Sequence, residues 1–330
     1  MIRVAMLSFW HVHARDYARQ VAEHPDTEIV AVWDEIPERG QVEADRLSVP
    51  FYASLDELLG QEDIDGVIVD APTNMHGEVL TKAAVAGKHI FTEKVLALTL
   101  EEANRIVSAV QENGVRLTVS LPRLNDDYTV AIEDILAKGW LGQLSLVRVR
   151  LAHHGASNDW LPAHFYDPIQ CGGGALTDLG CHPLYLTRLF LGLPQAVSAH
   201  YGYLTNRAVE DNAVAILTYE DGALGVVETS FVSGAPSFSI EIHGTKGSVL
   251  YGFGEDKLLV KTSEREPNEW TTYELGGARP SALEQWVKHI QEGTAADENV
   301  AMAIDLTRLV EAANRSVKLG APVKLTDLQG

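Results

Sequence analysis

Five short apolar runs separated by amphipathic stretches fill the first third of the chain, and this alternation restricts the fold more than any other feature. The runs are residues 2–7, 28–33, 66–70, 89–92 and 116–120. Between them lie segments with helical spacing, such as Tyr17 with Val21 and Val79-Leu80 with Ala83-Ala84. Thr99-Leu100-Glu101-Glu102 is a capping-box pattern opening a helix that reads through to Val110. This order predicts a doubly wound parallel sheet with helices on both faces, and ligands at the carboxyl ends of its strands.

From about residue 142 the period changes to two, the mark of half-buried strands joined by turns. Residues 213–219 and 223–231 flank Glu220-Asp221-Gly222, and 237–243 and 248–251 flank a Gly244-Thr245-Lys246-Gly247 turn, so two hairpins are expected. Runs at 144–151, 257–261 and 270–275 widen the sheet, and 281–291 and 300–317 read as closing helices. A chain of 330 residues exceeds what one core usually serves. The expected division is therefore 1–121, a dinucleotide-binding domain, and 122–330, an α/β domain around a large, open, mainly antiparallel sheet for substrate binding and oligomerisation. Its last helices are free to pack back on the first domain. Val226, Phe231 and Ile240 are expected on the outer face of that sheet, where they would need cover, so a homodimer or homotetramer is expected.

The charge balance excludes some partners. Lys and Arg number 26 against 46 Asp and Glu, a net charge of −20, which repels nucleic acid and anionic lipid. No apolar run is long enough to span a membrane. The two cysteines, Cys171 and Cys181, form no metal spacing or disulfide framework, and a cytoplasmic location is expected.

Asp34 ends the second run, where an acidic residue accepts hydrogen bonds from ribose hydroxyls and repels a 2′-phosphate, favouring NAD over NADP. The first strand-to-helix turn lacks the glycine fingerprint: Ser8, Trp10 and His13 stand at its three glycine positions. Cofactor contact from Ser8, Phe9, Trp10 and His11 then runs through the backbone of an altered turn. His11 and His13 have no third ligand nearby in sequence, so no metal is expected. Ala71, Pro72, Asn74 and His76 form the next such turn, with Asn74 either contacting cofactor or capping the following helix.

Two stretches about eighty residues apart carry the expected chemistry. Glu93-Lys94 ends a strand and is expected at the cofactor, so Lys94 beside the nicotinamide can stabilise an alkoxide while Glu93 holds that region through hydrogen bonds. Val95 follows, and a trans Lys94-Val95 bond is expected of a residue that is not proline. Gly172-Gly173-Gly174 leads to Asp178 and His182, and Pro183 implies a helix starting near Asp178, with Asp178 and His182 on one face. His182 suits acid/base work on an alcohol, and Asp178 binds substrate or tunes it. Substrate contacts are expected from Arg123, His154 and Trp160 besides Asp178 and His182, with His153, Asn158, Asp159, His164 and Tyr166 as further lining candidates.

The Glu93-Lys94 pair, the Gly172-to-His182 stretch, the Pro72-to-His76 turn and Asp34 together resemble the Gfo/Idh/MocA oxidoreductase family over essentially the whole chain. The resemblance implies that Lys94, Asp178 and His182 surround the reacting carbinol of a sugar, inositol or related polyol, with NAD taking the hydride. It also implies departures, since the glycine fingerprint is absent and Val95 replaces a proline. The alternatives are an enzyme that recycles the hydride during elimination or glycoside cleavage, and a dinucleotide- or sugar-sensing regulator without chemistry.

Overall fold

The computed structural model describes residues 1–235, 237–266 and 268–328. Among the described residues the chain divides into two compact units, Met1–Ser120 with Ser281–Ile304, and Leu121–Pro280 with residues 305–328.

The first unit holds a parallel sheet of β1 (Ile2–Leu7), β2 (Thr27–Trp33), β3 (Phe51–Tyr52), β4 (Gly66–Val69), β5 (His89–Thr92) and β6 (Leu117–Val119), in the order β3-β2-β1-β4-β5-β6. The order reverses between β1 and β4, which opens a crevice at the carboxyl ends of the central strands. Helices α1 (Ala14–Glu23), α2 (Pro37–Leu47), α3 (Leu55–Leu59), α4 (His76–Val85) and α5 (Leu100–Glu112) connect the strands, and Thr99 caps α5 by accepting from the Glu102 amide. All four β4 residues are buried, as a strand covered on both faces requires. Met6, Tyr17, Val32, Ile68 and Phe91 share one core cluster with Trp286 and Leu283 of the helix Ala282–Glu292. Gly66 makes room for that indole: a Cβ there would lie 2.9 Å from the Trp286 ring.

The second unit opens with α6 (Asp127–Ala137) and is built on nine strands: β7 (Leu144–Ala152), β8 (Ala196–Gly202), β9 (Asn212–Thr218), β10 (Leu224–Ser230), β11 (Ser237–Gly244), β12 (Gly247–Tyr251), β13 (Leu258–Thr262), β14 (Thr271–Tyr273) and β15 (Val323–Lys324). Their order is β14-β13-β12-β11-β7-β10-β9-β8-β15; β7 and β10 pair parallel and every other pair is antiparallel. The two expected hairpins are β9/β10 and β11/β12.

The outer-face assignment needs correction. Ile240 pairs with Val149 and is fully buried beside it, and Phe231 lies just past β10 and is fully buried. Val226 does face outward, paired with Arg148, whose guanidinium bonds Glu228 and Glu241. Strand parity decides this: 226 and 240 have opposite orientations once the pairings are fixed.

Candidate functional site

The first unit gathers side chains at the carboxyl ends of β1, β2, β4 and β5. Ser8 adopts a φ of +75°, the left-handed conformation usually left to glycine. The bulky residues after it turn inward, and Phe9, Trp10 and His11 are all buried. Backbone bonds hold the turn: Phe9 N donates to Asp34 Oδ2 at 2.9 Å, Trp10 N to Ser8 Oγ at 3.1 Å, and His11 N to the Asp70 carbonyl at 3.1 Å. Ala14 N, the first amide of α1, donates to the His11 carbonyl at 3.1 Å, and no side chain caps this first turn, so none competes there with an anionic ligand. The turn therefore fits a dinucleotide diphosphate despite the missing glycines.

Asp34 is buried and more occupied than the sequence indicated. Besides Phe9 N it accepts from Ile36 N at 2.8 Å and from Arg39 Nε and Nη2 at 2.8 and 2.7 Å. Arg39 also bonds Glu35 and Ser8. Arg39, which sequence reasoning missed, thus joins Asp34 and Ser8 at the carboxyl ends of β1 and β2. Its only advance signal was a place five residues beyond Asp34, in the first turn of α2.

After β4, Ala71 and Pro72 are buried and Asn74 is exposed. Asn74 does not cap α4, whose N-cap is Met75 without a side-chain bond. His76 is buried, with Nδ1 3.0 Å from the Val95 carbonyl and Nε2 3.2 Å from the Ala71 carbonyl. Burial lowers its pKa, and a neutral imidazole has one N–H, so at any moment it donates to the carbonyl on one side only, that of the Lys94 loop or that of the turn after β4.

Glu93 is buried at the end of β5. Its Oε1 accepts from the Tyr17 hydroxyl in a short bond and lies 2.8 Å from His13 Nδ1 and 3.6 Å from His11 Nδ1; its Oε2 accepts from Lys94 N at 2.9 Å. Burial pushes its pKa up, but His11, His13 and Lys94 outweigh burial and hold the carboxyl well below its ordinary value. Glu93 also places a carboxylate beside the two histidines that their local sequence lacks. Lys94 is 6% exposed, and its bond to Val95 is cis where trans was expected.

In the second unit the glycine turn is clamped by Glu210, a buried carboxylate that sequence reasoning also missed. It accepts from Gly174 N at 2.8 Å and Leu176 N at 2.9 Å, while its own carbonyl accepts from Ala175 N at 2.9 Å. Burial raises its pKa, and those N–H bonds offset part of the rise. The single helix expected from Asp178 is in fact two. After α7 (Pro168–Cys171) come α8 (Ala175–Asp178) and, beyond Leu179-Gly180, α9 (Cys181–Leu191). Asp178 ends one helix and His182 begins the next, with Pro183 still in a first turn where no amide is needed.

Helix α9 lies against β7 and β10, which fixes His182. His182 Nδ1 is 2.8 Å from the Tyr185 hydroxyl, and that hydroxyl accepts from Arg123 N at 3.1 Å. Tyr185, one turn along, was legible in principle as an i, i+3 neighbour. The Arg123 guanidinium packs over Phe238 at 4.2 Å and donates to Tyr128 at 3.1 Å. Of the other lining candidates, His153 stacks on Phe231 at 5.0 Å and approaches Trp160 at 4.8 Å; burial lowers its pKa while the charge of Asp178 opposes the drop. Trp160 is 50% exposed and His154 sits edge-on to it at 6.3 Å. Asp159 pairs with Arg207, whose guanidinium covers Tyr166 at 3.7 Å.

Comparison with known proteins agrees with this architecture. Residues 2–121 match the oxidoreductase family with an NAD-binding Rossmann fold, and residues 129–250 match the GFO/IDH/MocA C-terminal domain. The chain is 30% identical to scyllo-inositol 2-dehydrogenase (NAD(+)) of Bacillus subtilis (strain 168) over 262 residues, 76% of this chain and 74% of the relative. It is 27% identical to myo-inositol 2-dehydrogenase of Thermotoga maritima over 84% of this chain and 85% of that one. Among solved structures, GenD2 from gentamicin A biosynthesis in complex with NAD superposes with a TM-score of 0.82 at 26% identity, covering 98% of this chain and 96% of that one. The chain belongs to the Gfo/Idh/MocA family of NAD-binding oxidoreductases.

Proposed function

We propose that the protein is an NAD-dependent dehydrogenase acting on a carbinol carbon of a sugar, inositol or related polyol. The observation that carries the reading is the oriented acid/base group: His182 is fixed through Nδ1 by Tyr185, which is itself held by Arg123 N. His182 Nε2 is then the atom that exchanges the substrate hydroxyl proton. Lys94 supplies the positive charge that stabilises the alkoxide, and Asp178 binds a neighbouring hydroxyl. Bound dinucleotide supplies the nicotinamide that accepts or returns the hydride. Glu93, through its bond to Lys94 N, and His76, through the Val95 carbonyl, position the lysine. Arg123, His154 and Trp160 line the substrate side, where aromatic faces and hydrogen-bonding groups suit a polyol.

Asp34 and Arg39 together read the adenosine end, with Ser8, Phe9, Trp10, His11, Ala71, Pro72 and Asn74 around the cofactor. Isothermal titration should show NAD binding more tightly than NADP. In Asp34→Ala that affinity should fall by about 1.5–3 kcal/mol, the loss of a hydrogen bond to a charged group. Tighter binding of NADP by the unmodified protein would refute the role given to Asp34.

A homodimer or homotetramer fits the outer sheet face, where Ile216 and Leu224 are 39% and 42% exposed beside half-buried Val226. Light scattering at micromolar concentration should give a multiple of the chain mass; the mass of a single chain would refute assembly. A cytoplasmic setting is consistent with two buried cysteines that are not joined in a disulfide. No described helix is long and apolar enough to cross a membrane.

A further inference from the structure

We propose that His11, His13 and Glu93 form a binding site for a transition-metal dication of the zinc or cobalt class, beside the first turn of α1. One ligand atom from each residue lies within 4.8 Å of the others. Glu93 Oε1 is 2.8 Å from His13 Nδ1 and 3.6 Å from His11 Nδ1. Around a tetrahedral ion with bonds of about 2.0–2.1 Å, ligand atoms stand about 3.4 Å apart, so the observed separations bracket the required one. Small rotations of the His13 ring would close the difference, and its side chain is 44% exposed, so it is free of tight packing on one side. Two imidazoles and one carboxylate are a borderline donor set, which selects zinc, cobalt, nickel or ferrous iron over magnesium and calcium.

The surroundings suit a cation. The Glu93 carboxylate is buried within reach of both imidazoles. Tyr17 donates to the same carboxylate and lies 2.7 Å from Ser120 Oγ, the outer support that orients metal-bound carboxylates. Asp70 is fully buried next door, and neither of its carboxyl oxygens has a hydrogen-bond partner among the described residues. The occupant that competes with the metal is a proton shared between His13 and Glu93, so affinity should rise with pH as the imidazoles become neutral. This site shares His11 and Glu93 with the proposed cofactor end, but its test needs neither dinucleotide nor turnover, so its failure leaves the dehydrogenase reading standing.

The test is titration of chelator-treated protein with Co²⁺ alone at pH 6 and pH 8, followed by visible absorption and calorimetry. One ion per chain should bind at pH 8, with ligand-field bands, and at least tenfold more weakly at pH 6. His13→Ala, at a half-exposed position, should remove the bands while circular dichroism stays unchanged; His11→Ala should do the same. Absence of binding at pH 8 overturns the site and leaves the cluster as a protonated ion pair. Undiminished binding in His13→Ala with an intact fold also overturns it, because the ion then sits elsewhere.

Discussion

Lys94→Ala and His182→Ala should each lower kcat by about a hundredfold or more while leaving NAD affinity nearly unchanged, the effect of removing an electrostatic or acid/base group from the chemical step. The reasoning starts from the supports of each side chain. Lys94 follows a strand end, with its amide bonded to the buried Glu93, and His182 is anchored through Nδ1 to Tyr185. Circular dichroism of each variant separates loss of chemistry from loss of fold. The double variant should lose little more than either single one, because groups serving one proton and one charge do not contribute independently. Asp178→Ala should raise KM as well as lower kcat, since its role includes holding substrate. Steady-state kinetics beside dinucleotide titration measures this. Turnover near that of the unmodified enzyme in either single variant would remove that residue from the mechanism.

Glu210→Ala should be the most damaging change away from the reacting groups. Its carboxylate accepts from Gly174 N and Leu176 N, and the side chain is 3% exposed. Truncation strands two buried N–H groups at about 1–3 kcal/mol each. The turn they order leads directly to Asp178, so kcat should fall along with the denaturation midpoint. Glu210→Gln retains one acceptor oxygen and should recover part of both. The pH dependence has a definite sign. The folded carboxyl has a raised pKa, so its contribution favours folding most at low pH and declines as pH rises from the unfolded value through the folded one. Chemical denaturation of Glu210→Ala and Glu210→Gln checks this, and an unchanged midpoint in Glu210→Ala would contradict the clamp.

The strands of the first unit were legible because each is a short apolar run between amphipathic segments, and the switch of period to two announced the second sheet. The two-residue strands β3 and β15 carry too little sequence to be seen. Strand facing failed for Ile240 because a single strand shows alternation but not which parity meets the core; pairing with Val149 decides that. The break between α8 and α9 was hidden because its cause is tertiary: a Cβ on Gly180 would lie 2.8 Å from the Leu176 carbonyl and 2.9 Å from Thr229. Asp178 and His182 could be named from local spacing, whereas Glu210 and Arg39 could not. Glu210 bonds amides 36 and 34 positions away that only the folded chain brings near, and Arg39, though close to Asp34 in sequence, meets it only because α2 turns its side chain back to the strand end. The His13–Glu93 contact joins residues 80 positions apart and has no local trace.

The central claim is net dehydrogenation of a polyol, and the most direct measurement is absorbance at the NADH band when purified protein is given NAD and a panel of inositols, sugars and sugar acids. The account predicts steady NADH accumulation with at least one of them, abolished by His182→Ala. Consumption of a substrate with no accumulation of NADH would contradict it and identify an enzyme that recycles its hydride within each turnover.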